Sequence, residues 1–174
     1  MSPAEPEGPS ASRTVFSGRL LEVRTETWPA GEREVVHHPG ACAVVTLTPS
    51  GEVILVRQFR EAVRDTLLEI PAGIRDVVGE SASECAAREL REETGYEATS
   101  AEPLGSIYTS PGFADERIDL FLAWTADHPS AALVEEGVEP VVMPFAEALA
   151  AIHDGRITDA KTIAALLLTA SRLY

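Results

Sequence analysis

The order of strand-like and helix-like stretches in this sequence predicts an α/β chain. It reads as an α+β arrangement or an α/β/α sandwich with a mixed sheet, preceded by an N-terminal antiparallel strand extension. Three observations carry this expectation. The β-branched runs Ala41 to Leu47 and Glu52 to Phe59 flank Thr48-Pro49-Ser50-Gly51, a turn composition. A helix with its own start and stop signals follows at 81 to 95. Two further helical patterns, Phe145 to His153 and Asp159 to Arg172, surround the turn Asp154-Gly155.

At 174 residues the chain is long enough for one sizeable core and too short for two independent enzymatic domains. Hydrophobic residues are 45% and charged residues 24%, which is ordinary globular usage. Fourteen Lys+Arg against 28 Asp+Glu give a net charge of -14, a field that repels phosphate backbones and anionic membranes. No nucleic-acid or membrane partner is expected. No signal peptide is evident, and Ile163 to Leu168, the longest apolar stretch, is far below the ~18 residues a membrane span needs. A cytoplasmic protein is expected. Cys42 and Cys85 have neither CxxC nor zinc-site spacing, and read as buried reduced thiols.

Residues 1–12 carry Pro3, Pro6 and Pro9 among Ala, Ser and Glu, too little apolar surface to offset ordering entropy, and are expected to be a flexible tail. Residues 13–40 form the strand extension: Val15 to Trp28 interleaves apolar and charged residues, Pro29-Ala30-Gly31 turns, and Glu34 to His37 resumes, an antiparallel pair. Residues 41–174 form the main domain. Its first two runs make a hairpin with one buried face, and Leu67 to Pro71 is a short extended piece. Ser81 with Glu84 is a capping box that starts a helix ending at Thr94, with Gly95 as its left-handed cap. Strands near Glu102 to Tyr108 and Arg117 to Ala123 flank Thr109 to Ala114. Glu135, Glu136 and Glu139 read as a solvated acidic loop, and His37 and His38 as structural residues at a junction.

The chemistry concentrates on the helix. Glu89, Glu92 and Glu93 stand at i, i+3 and i+4, so their carboxylates share one face within a turn. At an effective dielectric of ~20, two charges ~5 Å apart repel by roughly 3 kcal/mol before screening. Either Arg88 and Arg91 neutralise them in intrahelical ion pairs, or a divalent cation does. Oxygen donors without His or Cys select Mg²⁺ or Mn²⁺ over Zn²⁺, and such a site suits phosphoryl or pyrophosphate chemistry.

Gly73, Glu80 and the run Arg88-Glu89-Leu90-Arg91-Glu92-Glu93-Thr94-Gly95-Tyr96 resemble the Nudix box: G, five residues, E, seven residues, R-E-aliphatic-x-E-E-x-G-aliphatic. Seven residues separate Glu80 from Arg88, and Tyr96 alone departs from the second half; six residues separate Gly73 from Glu80, one more than the pattern. This many agreeing positions outweigh the ion-pair explanation. The resemblance implies a Nudix-type α/β/α sandwich. It also implies metal ligation by Glu89, Glu93, Glu92 and the Ala72 carbonyl, with Arg88 and Glu80 as the ion pair that orients the helix.

Three segments outside the box resemble the ADP-ribose branch of that family: Val56 to Arg60, Leu68 to Gly73, and Ser110 to Glu116, with Pro111 fifteen positions after Tyr96. By this resemblance Arg60, Arg57 and Glu69 contact substrate, and Glu116, or failing it a box glutamate, is the general base. Trp28 and Phe113 are candidates for stacking on adenine, beside Pro111. The function implied is Mg²⁺-dependent hydrolysis of ADP-ribose to AMP and ribose 5-phosphate by a homodimer in which 13–40 helps build interface and active site. The alternatives are another nucleoside diphosphate substrate, such as a GDP-sugar, NADH or an oxidised nucleotide, and a non-catalytic ADP-ribose sensor.

Overall fold

The computed structural model describes residues 8–126, 128–129 and 135–173. The chain divides into two compact units, Met1–Pro39 with Tyr108–Arg117, and Gly40–Ile107 with Ile118–Tyr174. Of the expected tail, residues 1–7 lie outside the described residues.

In the first unit three antiparallel strands, β1 (Ala11–Ser17), β2 (Glu22–Trp28) and β3 (Gly31–His37), stand in the order β1-β2-β3. This is one strand more than the antiparallel pair expected. The run from Val15 to Trp28 is broken where the Gly18 N–H donates to the Leu21 carbonyl (2.9 Å), a turn that the adjacent Leu20 and Leu21 disguise as strand. Strand β1 also takes in Ala11 and Ser12, assigned above to the tail, because they pair with Thr27 and Glu26. Pro29-Ala30 links β2 to β3, with Gly31 at φ 111°. The Tyr108–Arg117 segment adds to β3 through Val36 N–H to the Phe113 carbonyl (2.7 Å) and Asp115 N–H to the Val36 carbonyl (3.0 Å).

The second unit is built on a mixed sheet. Its strands are β4 (Ala41–Leu47), β5 (Glu52–Arg60), β6 (Asp65–Glu69), β7 (Ala72–Ile74), β8 (Ser100–Tyr108), β9 (Arg117–Trp124) and β10 (Val138–Pro144). The path is β10-β5-β4-β9-β8, with β6 paired to β5 and β7 to β4. Strand β4 runs parallel to β9 and antiparallel to β5 and β7. The expected hairpin exists at Thr46↔Ile54 and Leu47↔Val53; beyond it β7 takes the place beside Ala41–Ala43. All seven residues of β4 are buried, so both faces of this strand are covered, where one was expected.

Helices lie on both faces. Cys42, Val44, Ile54 and Phe121 pack with Cys85, Ala86 and Leu90 of α1 (Ala82–Thr94). The alternate residues Ala43, Val45, Leu55, Leu120 and Leu122 pack with α2 (Phe145–His153) and α3 (Ala160–Leu173). This is the α/β/α sandwich expected. Strand β10 is not expected from the sequence and takes in Glu139, read above as solvated loop; Pro140 and Pro144 obscure it, and an outer strand tolerates them. The cysteines are buried as expected but not reduced: Cys42 of β4 and Cys85 of α1 form a disulfide. No described helix is long and apolar enough to cross a membrane.

Candidate active site

Helix α1 is fixed at both ends. Ser81 caps its start, with the Glu84 carboxylate accepting from the Ser81 N–H (2.8 Å), and Gly95 closes it in the left-handed conformation at φ 74°. Strand β7 crosses its carboxylate face. The backbone of Gly73 leaves no room for a side chain, since a Cβ there would lie 1.9 Å from Cδ and Oε1 of Glu89. One residue earlier, the Ala72 N–H donates to Glu93 Oε2 (3.2 Å). The extra residue between Gly73 and Glu80 is taken up in the loop before α1, where the Glu80 N–H donates to the Val77 carbonyl (3.2 Å) and Gly79 adopts φ 85°.

Arg88 ties the acidic groups together. Its Nε and Nη2 donate to the two carboxylate oxygens of Glu80 (2.8 and 3.1 Å), and its Nη1 donates to Glu89 Oε1 (2.6 Å) and Glu92 Oε2 (2.9 Å). Hydrogen bonding to Glu80 comes first among the causes that raise the guanidinium pKa. One cation therefore serves three anions. Glu89 and Glu93 are buried and Glu92 is exposed. Burial lifts the Glu93 carboxyl to about 8, against the pull of the Ala72 N–H and with the push of Glu89 and Glu135. Burial also raises Glu89, against the pull of Arg88.

One cavity is lined by the three box glutamates together with Arg60, Ala72, Gly73 and Glu135. Glu135, read above as part of a solvated loop, is a cavity residue instead. It lies just before β10, and its N–H donates to the Glu92 carbonyl (2.9 Å); with Asp76 it adds two further carboxylates to the cavity. Among the described residues no three carboxylates already converge as ligands on one point, since Arg88 engages Glu89 and Glu92. The donor set nonetheless suits a hard divalent cation: five carboxylates, Asp76, Glu89, Glu92, Glu93 and Glu135, against two arginines, and no soft ligand.

Strand β5 sorts its polar side chains by face. Gln58 and Arg60 line the cavity, whereas Arg57 donates to Glu139 of β10 (3.0 Å) in an exposed pair and is not among the lining residues. Glu69 does not meet the expectation of substrate contact, because only 1% of it is exposed and both its oxygens are occupied. Arg60 Nε and Nη2 donate to them (2.7 Å each), and Lys161 Nζ donates to Oε2. Lys161 was also missed; a lysine in the first turn of a helix opposes the helix dipole and was a readable sign that an anion waits for it.

The remaining expected residues belong to the first unit. Trp28, Pro111 and Phe113 line a second cavity with Tyr108, Arg33 and Glu26, and the Trp28 Nε1–H donates to Glu26 (3.0 Å). Glu116 accepts from the Thr109 hydroxyl (2.7 Å) and stands 3.6 Å from His38 Nδ1. His37 Nδ1 is 2.5 Å from Asp115, so both histidines hold the carboxylates of the Tyr108–Arg117 segment.

Comparison with known proteins agrees with the box. The NUDIX domain model matches residues 36–166. The chain is 38% identical over 164 residues to the ADP-ribose pyrophosphatase of Bacillus subtilis (strain 168), covering 90% of this chain and 88% of that protein. It is 41% identical over 160 residues to the methanol dehydrogenase activator of Bacillus methanolicus, covering 87% and 86%. A solved structure described as an ADP compounds hydrolase superimposes with a TM-score of 0.78 over 98% of this chain and 97% of its own, at 23% identity, which speaks for the fold. With a family model across most of its length, relatives matching nearly end to end, and the acidic face of α1 packed against Gly73 and Ala72, the chain belongs to the NUDIX family of hydrolases.

Proposed function

We propose that this enzyme hydrolyses ADP-ribose to AMP and ribose 5-phosphate with Mg²⁺, for which Mn²⁺ can substitute. The observation that carries the reading is a single cavity in which Arg60 faces the carboxylates of Glu89, Glu92 and Glu93. That is a cation beside a cation-demanding acidic face, as a diphosphate–metal complex requires. The similarity to an ADP-ribose pyrophosphatase supports the choice of substrate.

Glu89, Glu93, Glu92 and the carbonyl of Ala72 would hold the metal. When bound, it supplies charge neutralisation at the diphosphate and a more acidic water. Arg88 keeps Glu89 and Glu92 on one side of the helix, and the Ala72 N–H orients Glu93. Arg60 donates to a phosphate oxygen through the part of its guanidinium that Glu69 leaves free. A carboxylate takes a proton from water as the water oxygen bonds to phosphorus and the P–O–P bridge breaks. By resemblance that base is Glu116; Glu135 is a second candidate because it lines the metal cavity. Trp28 and Phe113 would receive the adenine ring.

Homodimerisation and a cytoplasmic location belong to the same reading. Every residue of β1 is exposed, Val15 and Phe16 included, an apolar edge that a second copy would cover.

Purified protein incubated with ADP-ribose, with and without Mg²⁺, and chromatographed for AMP tests the proposal. Rapid Mg²⁺-dependent AMP formation, lost in Glu93→Gln, is expected. No AMP from folded, metal-loaded protein, with turnover of a GDP-sugar or NADH instead, would overturn the substrate assignment. Comparing Glu116→Gln with Glu135→Gln identifies the base, as the variant that loses kcat while still binding substrate.

A further inference from the structure

The group Arg60–Glu69–Lys161–Asp159, built around the buried Glu69, accounts for the placement of Arg60, the one arginine among the described residues lining the carboxylate cavity that the box does not supply. Glu69 is 1% exposed and cannot meet a ligand. Its two oxygens accept Nε and Nη2 of Arg60 at 2.7 Å each, a bidentate grip that fixes the guanidinium plane. Among the described residues Nη1 of Arg60 has no hydrogen-bond partner, and Arg60 lines the cavity. The gripped edge therefore points into the protein, and the free end is the part available to an anion.

Lys161 completes the group from the other side. Its Nζ donates to Glu69 Oε2 and lies 3.0 Å from Asp159 Oδ2, with 11% of the side chain exposed. Asp159 is itself fixed, since its Oδ2 accepts from the Thr162 N–H (2.9 Å) and hydroxyl (2.6 Å), and that hydroxyl accepts from the Ile70 N–H (2.9 Å). Without Lys161 the nearly dry carboxylate would have Arg60 as its sole cation and no anchor from α3, so the guanidinium it grips would lose its fixed position. With Lys161 present the carboxylate is shared, and Arg60 keeps its charge at the cavity wall.

We infer that Lys161 is a positioning residue for diphosphate recognition: it acts through Glu69 to hold Arg60 with its free guanidinium end toward the cavity. This rests on the reading of Arg60 as the phosphate contact. It goes beyond that reading by assigning a role to a largely covered side chain in the first turn of α3, and by making Glu69 the intermediary and not a substrate ligand.

A double-mutant cycle on the intact protein tests the inference, with inorganic pyrophosphate in Mg²⁺ as the calorimetric probe so that the answer does not depend on which substrate is turned over. Arg60→Met is expected to weaken pyrophosphate binding about tenfold or more, the order of one strong charged contact. Lys161→Met should weaken it to within about threefold of that, and Lys161→Arg should restore it to within about threefold of wild type. Because Lys161 acts through Arg60, the double variant should bind no worse than Arg60→Met alone. Mn²⁺ affinity at the box should be unchanged in all of them. Leu166→Ala, a core truncation on the same helix, controls for instability: it should lower Tm and leave pyrophosphate affinity alone. Additive losses in the double variant, unchanged affinity in Lys161→Met, or a wild type that binds no pyrophosphate would each overturn the inference. A wild type that binds pyrophosphate normally but leaves ADP-ribose intact would overturn the substrate assignment alone.

Discussion

The backbone of Gly73 rests on the carboxylate of Glu89, with 1.9 Å between Glu89 Oε1 and the place a Cβ would take. Gly73→Ala should therefore push Glu89 off the strand. Overpacking of this kind costs about 1–3 kcal/mol, and the box should lose at least about tenfold in Mn²⁺ affinity. Thermal unfolding and a Mn²⁺ titration read the two effects. A folded variant with wild-type Mn²⁺ affinity would show that the metal does not depend on this contact.

Arg88 spans Glu80, Glu89 and Glu92 with a planar fork that lysine cannot reproduce. Arg88→Lys is expected to keep the charge and still lower kcat or metal affinity by about 10–100-fold. Equal kinetics in the two proteins would reduce Arg88 to a source of charge.

The pH dependence of stability should carry a signature of Glu69. Burial pushes its carboxyl up, but the hydrogen bond from Arg60 and the charge of Lys161 outweigh this and hold it below the ordinary 4.5. A folded-state value below the unfolded one contributes stability that is present above 4.5 and is lost as pH falls through the folded value. Urea unfolding across the acid range should accordingly show wild type and Glu69→Gln converging as pH drops. Parallel curves would contradict this.

Cys42 and Cys85 join β4 to the box helix across 43 positions of chain. Opening that link should cost roughly 2–4 kcal/mol by the chain-entropy account. Thiol titration in denaturant should find no free thiol before reduction, and reduction should lower Tm. Two titratable thiols in unreduced protein would refute the pairing.

Phe16 and Val15 stand exposed on β1. If a second copy covers them, Phe16→Asp should shift the protein from dimer to monomer in light scattering, whereas a monomeric wild type would remove the basis for the interface.

Periodicity and capping rules reached the helices to within a residue or two, because Ser81, Glu84 and Gly95 signal locally what they do. The acidic face of α1 was legible for the same reason. Strand β10 was not, since its place beside β5 is set by pairing across the chain, and its two prolines read locally as breaks. The turn at Gly18 was hidden by two leucines. Glu69 shows the limit most clearly: alternation makes it a solvent-facing strand residue, and only the arrival of Arg60 and Lys161 from 9 and 92 positions away allows a carboxylate to be buried there. Lys161 and Glu135 acquire their meaning from tertiary neighbours in the same way.

The parallel pairing of β4 with β9 also orders events during synthesis. Ala41 meets Ile118 and Leu47 meets Trp124, so the loop closed by this pairing contains the whole of β5, β6, β7, α1 and β8. Long-range parallel pairing is slow to nucleate because its closure entropy precedes its reward. On a growing chain the acidic helix therefore leaves the ribosome well before the central strand has its parallel neighbour, and the sheet against which α1 packs is incomplete until β10 has emerged as far as Pro144. The enzyme acquires a competent cation site only late in translation, so nascent chains halted before that point would carry the full box sequence without its activity.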